Sequence, residues 1–278
     1  MIENYLMNKS SLVNIFLKMN FFLFSVILIA PFFTKAQTVT VDGYFNQESK
    51  KDKSGNLVRF HYTWDDIESS GFSKFGEAFK VNGAKNLKRL DEAPTAINLK
   101  ETNVYIIVDP DNLKDNPKPN YINDNDAKEI ANWVYKGGVL FIMANDSANT
   151  DLHHLNILGS KFGFKFNRDI TLHVVDDEHF ANGGLSTASA KFLFKTSKKV
   201  FLKDACSISI EKPGKAILKD KNGANVLVSS KYGKGIVLAV GDPWLYNEYV
   251  NGRLPKEYEN DKAMNDIAAW LIAKTKKK

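Results

Sequence analysis

Apolar and polar positions alternate along the chain in blocks that predict strands separated by helices. Four runs have the length and apolar character of strands, at 39–45, 104–108, 139–143 and 236–240. Helical spacing of apolar residues predicts helices over 73–81, 124–135, 151–162 and 262–275. Strands that alternate with helices of this size favour a doubly wound, mostly parallel α/β sheet.

The second half of the chain has a different pattern, in which short strands follow one another with only turns between them. The predicted strands are 172–175, 199–202, 207–210, 216–218 and 226–229. A hairpin turn at 231–235 then leads into the strand 236–240. We therefore expect an antiparallel extension of the sheet.

The first residues have the pattern of an export signal. Residues 21–33 are almost wholly apolar, basic residues precede them, and small residues stand before a cleavage point after Ala36. We expect a signal peptide over 1–36 and a single domain over 37–278, exported to the periplasm, with secretion as the alternative. Cleavage would leave no stable membrane span; an uncleaved anchor is the other interpretation.

Charge and cysteine content exclude several classes of function. The formal net charge is +6 for 278 residues, and it falls to +4 without residues 1–36, which carry three lysines and one glutamate. The basic tail 274–278 has no interleaved aromatic residues, so we do not expect nucleic acid as a partner. Cys206 is the only cysteine, and no histidine spacing is typical of zinc. We expect no metal and no cofactor.

Polar residues stand at the ends of four of the predicted strands. Asp42 follows the residues 39–41 of the first strand. Asp109 follows 104–108, Asn145 and Asp146 follow 139–143, and the strand 236–240 is followed by Asp242, Trp244, Tyr246 and Asn247. The carboxyl ends of parallel strands meet at one edge of a sheet, where open α/β sheets bind their ligands. We therefore expect these side chains to line one site.

Two further groups of residues are candidates for the same site. His61 and Tyr62 could accept a proton, and Trp64 could stack on a sugar face. Arg253 offers a planar cation for a substrate carboxylate. Each also has a structural interpretation, in which Trp64 packs in the core and Arg253 pairs with a nearby glutamate. In the same interpretation Asn145 and Asp146 cap a helix.

Four segments carry a resemblance to a known family: 105–111, 133–140, 143–147 and 241–249. They resemble the exported glutamine-amidotransferase-like domains of Bacteroidetes polysaccharide-utilisation systems, which are found with unsaturated glucuronyl or rhamnogalacturonyl hydrolases. The likeness covers nearly all of 37–278 and implies a flavodoxin-like fold. The catalytic cysteine of true amidotransferases is missing, so glutamine hydrolysis is not implied.

Within this group, the resemblance to dehydratases of ulvan oligosaccharides implies a lyase. It would remove water from a terminal uronic acid, and an unsaturated glucuronyl hydrolase would consume the product. Arg253, Asn145 or a cation would neutralise the sugar carboxylate, and His61 or Tyr246 would be the base. Candidates for the acid are Tyr62, Asp146 and Asp242. The alternatives are a non-catalytic module that binds oligosaccharides or docks a hydrolase, and a glycoside hydrolase with two carboxylates from Asp109, Asp146 and Asp242.

Overall fold

The computed structural model describes residues 37–68, 70–243 and 252–275. The helices are α1 (Ser73–Val81), α2 (Asp124–Tyr135), α3 (Leu152–Lys161) and α4 (Asn260–Thr275). The strands are β1 (Gln37–Asp42), β2 (Ser49–Lys51), β3 (Leu57–Arg59), β4 (Ala84–Leu90), β5 (Val104–Val108), β6 (Val139–Met143), β7 (Phe164–Phe166), β8 (Gly184–Ser186), β9 (Lys199–Phe201), β10 (Ile208–Ile210), β11 (Lys215–Lys219), β12 (Asn225–Tyr232) and β13 (Gly235–Val240).

Seven strands form the central sheet, in the order β11-β12-β13-β6-β5-β1-β4. The five strands from β13 to β4 are parallel, and β12 and β11 continue the sheet in antiparallel pairing. The expected mostly parallel α/β sheet is therefore confirmed, and its antiparallel extension consists of β12 and β11. The expected strands 199–202 and 207–210 do not join it, because β9 and β10 pair with β8 and β7 in separate two-stranded sheets. Numbered along the chain, the parallel strands have the order 2-1-3-4-5, so the direction of winding reverses between β1 and β5.

Helices cover both faces of this sheet. On one face α1 and α4 pack together, and Phe75 and Ile267 belong to the same buried cluster as Phe141 of β6. On the other face α2 and α3 pack together, and Ile130 and Leu155 are buried in a second cluster. Because β5 and β6 are covered on both sides, they are continuous apolar runs rather than alternating ones.

The predicted and observed elements differ where strand character is weak. Bounds coincide for α1, α2, β5 and β6, whose apolar pattern is strong. The expected strand 172–175 is wrong, because the chain there makes only the bridge Thr171–Ala205 and Leu172 has a φ of 54°. The sheet also contains β4, which the sequence pattern did not predict. This strand lies at the edge and exposes charged side chains such as Lys85 and Lys88, so it has no apolar run.

The expected signal peptide, residues 1–36, lies outside the described residues. Within the described ranges, every helix is too short or too polar to cross a bilayer.

Candidate functional site

The carboxyl ends of four parallel strands bring buried polar residues to one edge of the sheet. These residues are Asp42 after β1, Asp109 after β5, Asn145 after β6 and Asp242 after β13, and none is more than 7% exposed. The strands are in register, so their ends lie side by side. Because the strand ends are aligned, the four side chains share this edge of the sheet.

Asp109 is the centre of a hydrogen-bonded cluster. Its Oδ2 accepts a hydrogen bond from the Tyr62 hydroxyl at 2.8 Å and one from Nδ2 of Asn145 at 3.4 Å. Its Oδ1 accepts from the Thr150 hydroxyl. Burial raises the pKa of Asp109 to about 6, although these donors act in the opposite direction. Tyr62, Asp109, Asn145 and Thr150 form the Asp109 cluster.

A small hairpin places a second pair of titratable groups beside this cluster. Strands β2 and β3 pair antiparallel, and the backbone N–H of Phe60 donates to the carbonyl of Glu48 at 3.1 Å, which extends the pairing by one step. The side chains of Glu48 and His61 therefore lie together, with 3.3 Å between Oε2 and Nε2. These side chains are 20% and 25% exposed, so solvent reaches both.

Burial shifts the pKa values of this pair in opposite directions. Burial, with the nearby charges of Asp109, Asp115 and Asp111, raises the pKa of Glu48 to about 8. Burial, with the charge of Lys50, lowers the pKa of His61 to about 4. The distance alone would fit an ion pair, but both shifts favour the uncharged forms, a carboxylic acid on Glu48 and a neutral imidazole on His61.

The backbone is strained at the same place. His61, Tyr62 and Asp109 have φ values of 59°, 50° and 45°, in the left-handed region that residues other than glycine seldom adopt. Such strain costs on the order of 1 kcal/mol or more per residue, and it is common at functional sites. Backbone hydrogen bonds from Tyr62 to the Ser70 carbonyl and from Phe72 to the Thr63 carbonyl hold this loop.

Asp242 is held at the far side of the edge by the loop before β10. Its Oδ2 accepts the backbone N–H of Lys203 at 2.6 Å. This loop approaches so closely that a Cβ on Gly241 would lie 1.9 Å from the Cys206 carbonyl oxygen. The charge of Asp242 contributes to the raised pKa of Tyr62, after burial and the nearer carboxylate of Asp109. Three further candidates, Trp244, Tyr246 and Asn247, lie outside the described residues.

Three candidate residues have contacts that lead away from the Asp109 cluster. Trp64 packs on the aromatic rings of α1, and its Nε1 donates to the Lys88 carbonyl at 2.8 Å. The carboxylate of Asp146 accepts hydrogen bonds within its own turn. Arg253 pairs with Asp177 at 3.2 Å. The contacts of Trp64 match its structural interpretation. Asp146 closes a turn instead of capping a helix, because the cap of α3 is Asp151. Arg253 forms an ion pair as in its structural interpretation, with Asp177 in place of the expected glutamate.

Sequence reasoning missed Glu48, which lies in a polar stretch with no periodic pattern. A signal was present in Asp52 and Gly55, which are typical of a tight turn. Asp52 accepts backbone hydrogen bonds from Ser54 and Asn56 and closes this turn. A hairpin around it would have brought Glu48 next to His61.

The described residues contain no group of three or more His, Cys, Asp or Glu side chains arranged to hold a metal ion. Two cavities lie away from these residues, one of about 420 Å³ beside α1 and α4 and one of about 860 Å³ at the amino-terminal edge of the sheet. We place the site at the carboxyl edge because the acids with shifted pKa values, the strained backbone and the switch in winding direction coincide there.

Comparison with known proteins supports the fold and extends no further. No family model matches the sequence, and no curated protein matches it. A solved structure titled mmIFT52 N-terminal domain is similar, with 15% identity and a TM-score of 0.62 over 84% of this chain and 97% of that one. At this identity the likeness shows the fold alone.

Two further solved structures are similar with TM-scores below 0.5. A β-galactosidase from Bacillus circulans sp. alkalophilus has 14% identity and a TM-score of 0.48, and the match covers 86% of this chain. The chain spans 30% of that protein's length. The cytoplasmic protein STM3548 from Salmonella typhimurium has 13% identity and a TM-score of 0.49, over 86% of this chain and 97% of that one.

Proposed function

We propose that the chain is a carbohydrate-active lyase that removes water from the terminal uronic acid of polysaccharide-derived oligosaccharides such as those of ulvan. The observation that carries this proposal is the Glu48–His61 pair, whose pKa values are shifted in opposite directions. Near neutral pH one group holds a proton to give and the other has a lone pair to accept one. Two groups whose pKa values are shifted in opposite directions by their surroundings often serve as the acid and the base of an active site.

The two groups match the two proton transfers of a dehydration. His61 takes the proton from C5 of the sugar, the electron pair forms the C4–C5 double bond, and the C4 hydroxyl leaves as water with the proton of Glu48. The pair is then an imidazolium and a carboxylate 3.3 Å apart, between which the proton can return. One turnover therefore restores the starting state without an external acid or base.

Other described residues support these roles. The C5 proton becomes acidic only when the neighbouring carboxylate is neutralised. The charges of Lys50 and Lys114 reach the Glu48–His61 pair, and the amide of Asn145 lies at the same edge, so these groups could hold that carboxylate. Tyr62 donates to Asp109 and burial raises its pKa well above the usual value, which favours positioning over the role of base.

The remaining parts of the proposal concern fold, location and partner. The strand order 2-1-3-4-5 is that of flavodoxin-like sheets, which supports a flavodoxin-like, glutamine-amidotransferase-like domain. With residues 1–36 as a signal peptide, the mature chain would work in the periplasm or after secretion. An unsaturated glucuronyl hydrolase would consume the product.

A binding module is the second candidate. The carboxylate oxygens of Asp109 already accept hydrogen bonds from three neighbours, as in a cluster that serves only to shape the surface. Binding without chemistry would then rest on polar contacts at the carboxyl edge. A glycoside hydrolase would need two carboxyl groups that face the same bond.

One experiment separates these functions. The protein is incubated with oligosaccharides that end in a uronic acid, and ultraviolet absorbance of the conjugated product is followed together with product mass. Loss of one water supports the lyase, gain of one water supports a hydrolase, and unchanged mass with measurable affinity supports a binding module.

Three variants test the assignment of roles. We expect Glu48→Gln and His61→Gln each to lower kcat by about 10²-fold to 10⁴-fold. The matched control is Glu77→Gln on the surface of α1, where the side chain is 66% exposed. Full activity of either site variant would refute the assignment, even if the reaction were correct.

A further inference from the structure

A basic surface lies at the amino-terminal edge of the sheet, opposite the Glu48–His61 pair. It surrounds a cavity of about 860 Å³. The lining residues are Lys136, Val139, Lys231, Gly233, Lys234, Gly235, Ile236 and Lys274. Half of them are lysines, and none of these described lining residues is acidic. We call the four lysines and the cavity between them the basic edge.

The fold holds these lysines in a defined arrangement. Lys136 directly follows α2, Lys231 and Lys234 belong to the hairpin between β12 and β13, and Lys274 lies in the last turn of α4. The backbone N–H of Lys234 donates to the Tyr135 carbonyl at 2.9 Å, which ties the hairpin to the end of α2. The side chains of Lys136, Lys231 and Lys234 are exposed.

The described part of the chain begins at the same edge. In the parallel sheet Val39 lies opposite Val104, Val104 opposite Val139, and Val139 opposite Ile236. Two of these residues, Val139 and Ile236, line the basic cavity. Gln37 precedes Val39 on β1, and in the sequence the apolar run 21–33 ends only a few residues before it.

We infer that the basic edge binds a membrane surface that contains anionic phospholipids. The charge of the four lysines is complementary to anionic lipid headgroups, and each lysine contributes about 1 kcal/mol near such a surface. Tyr135, which is 60% exposed beside the hairpin, has the amphipathic side chain favoured at a membrane interface. The carboxyl edge then points away from the bilayer, towards soluble oligosaccharide.

Vesicle binding tests this inference without reference to catalysis. Residues 36–278 form one compact unit by their own contacts, so a chain that starts at residue 37 removes the apolar run from the measurement. It is sedimented with phosphatidylcholine vesicles, with and without phosphatidylglycerol. We expect binding only when phosphatidylglycerol is present, and weaker binding at higher salt.

Two triple variants locate the surface. Lys136→Gln, Lys231→Gln and Lys234→Gln together should weaken partitioning to the anionic vesicles by roughly 100-fold. The matched control replaces three exposed lysines elsewhere, with Lys165→Gln, Lys191→Gln and Lys219→Gln, and should retain most of the binding.

Several results would overturn the inference. The unaltered chain could fail to bind anionic vesicles, or both triple variants could weaken binding equally. The chain could also bind oligogalacturonate instead of vesicles, through the same three lysines. The last outcome would assign the basic edge to an anionic polysaccharide. Melting temperatures of both variants close to that of the parent chain would show that loss of binding is not loss of fold.

Discussion

Replacing Glu48 with glutamine should stabilise the protein at alkaline pH and have little effect in mild acid. The pKa of Glu48 is raised from 4.5 to about 8, chiefly by burial. Between these two values the folded chain holds a proton that the unfolded chain has released, so stability falls as pH rises through this range. Glutamine has nearly the same shape and carries no charge, so the variant lacks this loss.

The structure sets the size of the effect. The full shift corresponds to about 5 kcal/mol, since one pKa unit is worth about 1.4 kcal/mol. One fifth of the Glu48 side chain is exposed, so water screens part of the penalty and we expect about 2 kcal/mol. His61 has a lowered pKa and acts with the opposite sign below about pH 6.5, but it is present in both proteins and largely cancels in the comparison.

Urea unfolding at about pH 5 and about pH 9 measures this difference. We expect the free energy of unfolding of Glu48→Gln, relative to the parent, to increase by about 2 kcal/mol between these conditions. The exposed control Glu77→Gln should show little change. A difference between variant and parent that stays constant with pH would mean that Glu48 ionises normally, and the proposed acid would be lost with it.

Three other substitutions test individual contacts. Tyr62→Phe removes a hydroxyl donor from buried Asp109 and should lower the free energy of unfolding in urea by about 1–3 kcal/mol at about pH 8. The loss should be smaller at about pH 5, because Asp109, with its pKa of about 6, is then protonated. Equal losses at the two pH values would contradict this. Trp64→Phe should lower the free energy of unfolding by about 1–3 kcal/mol, because packing and the hydrogen bond to the Lys88 carbonyl are lost, and oligosaccharide affinity should not change. Unchanged stability with weaker oligosaccharide binding would instead support Trp64 as a sugar platform. Arg253→Gln breaks an exposed pair with Asp177 and should change stability by less than about 1 kcal/mol in thermal unfolding; a larger loss would show that the pair is more than a surface contact.

The hydrophobic pattern alone was enough to predict the framework of the sheet. Helices over 73–81 and 124–135 and strands over 104–108 and 139–143 have the bounds expected from apolar spacing. These elements are buried on one or both faces, so their periodicity is a direct record of what they contact. Because the carboxyl ends of parallel strands meet at one edge of a sheet, the sequence also predicted that Asp109 and Asn145 share an edge.

The tertiary structure decided which of the candidate residues meet and how they ionise. Glu48 reaches His61 through the register of a short polar hairpin, and such a strand pair has no alternating pattern to record its pairing. Trp64 could equally have faced a ligand or the core, and only its packing on α1 settles its direction. The proton on Glu48 depends on burial and on charges brought from distant segments, and neither is a property of the local sequence.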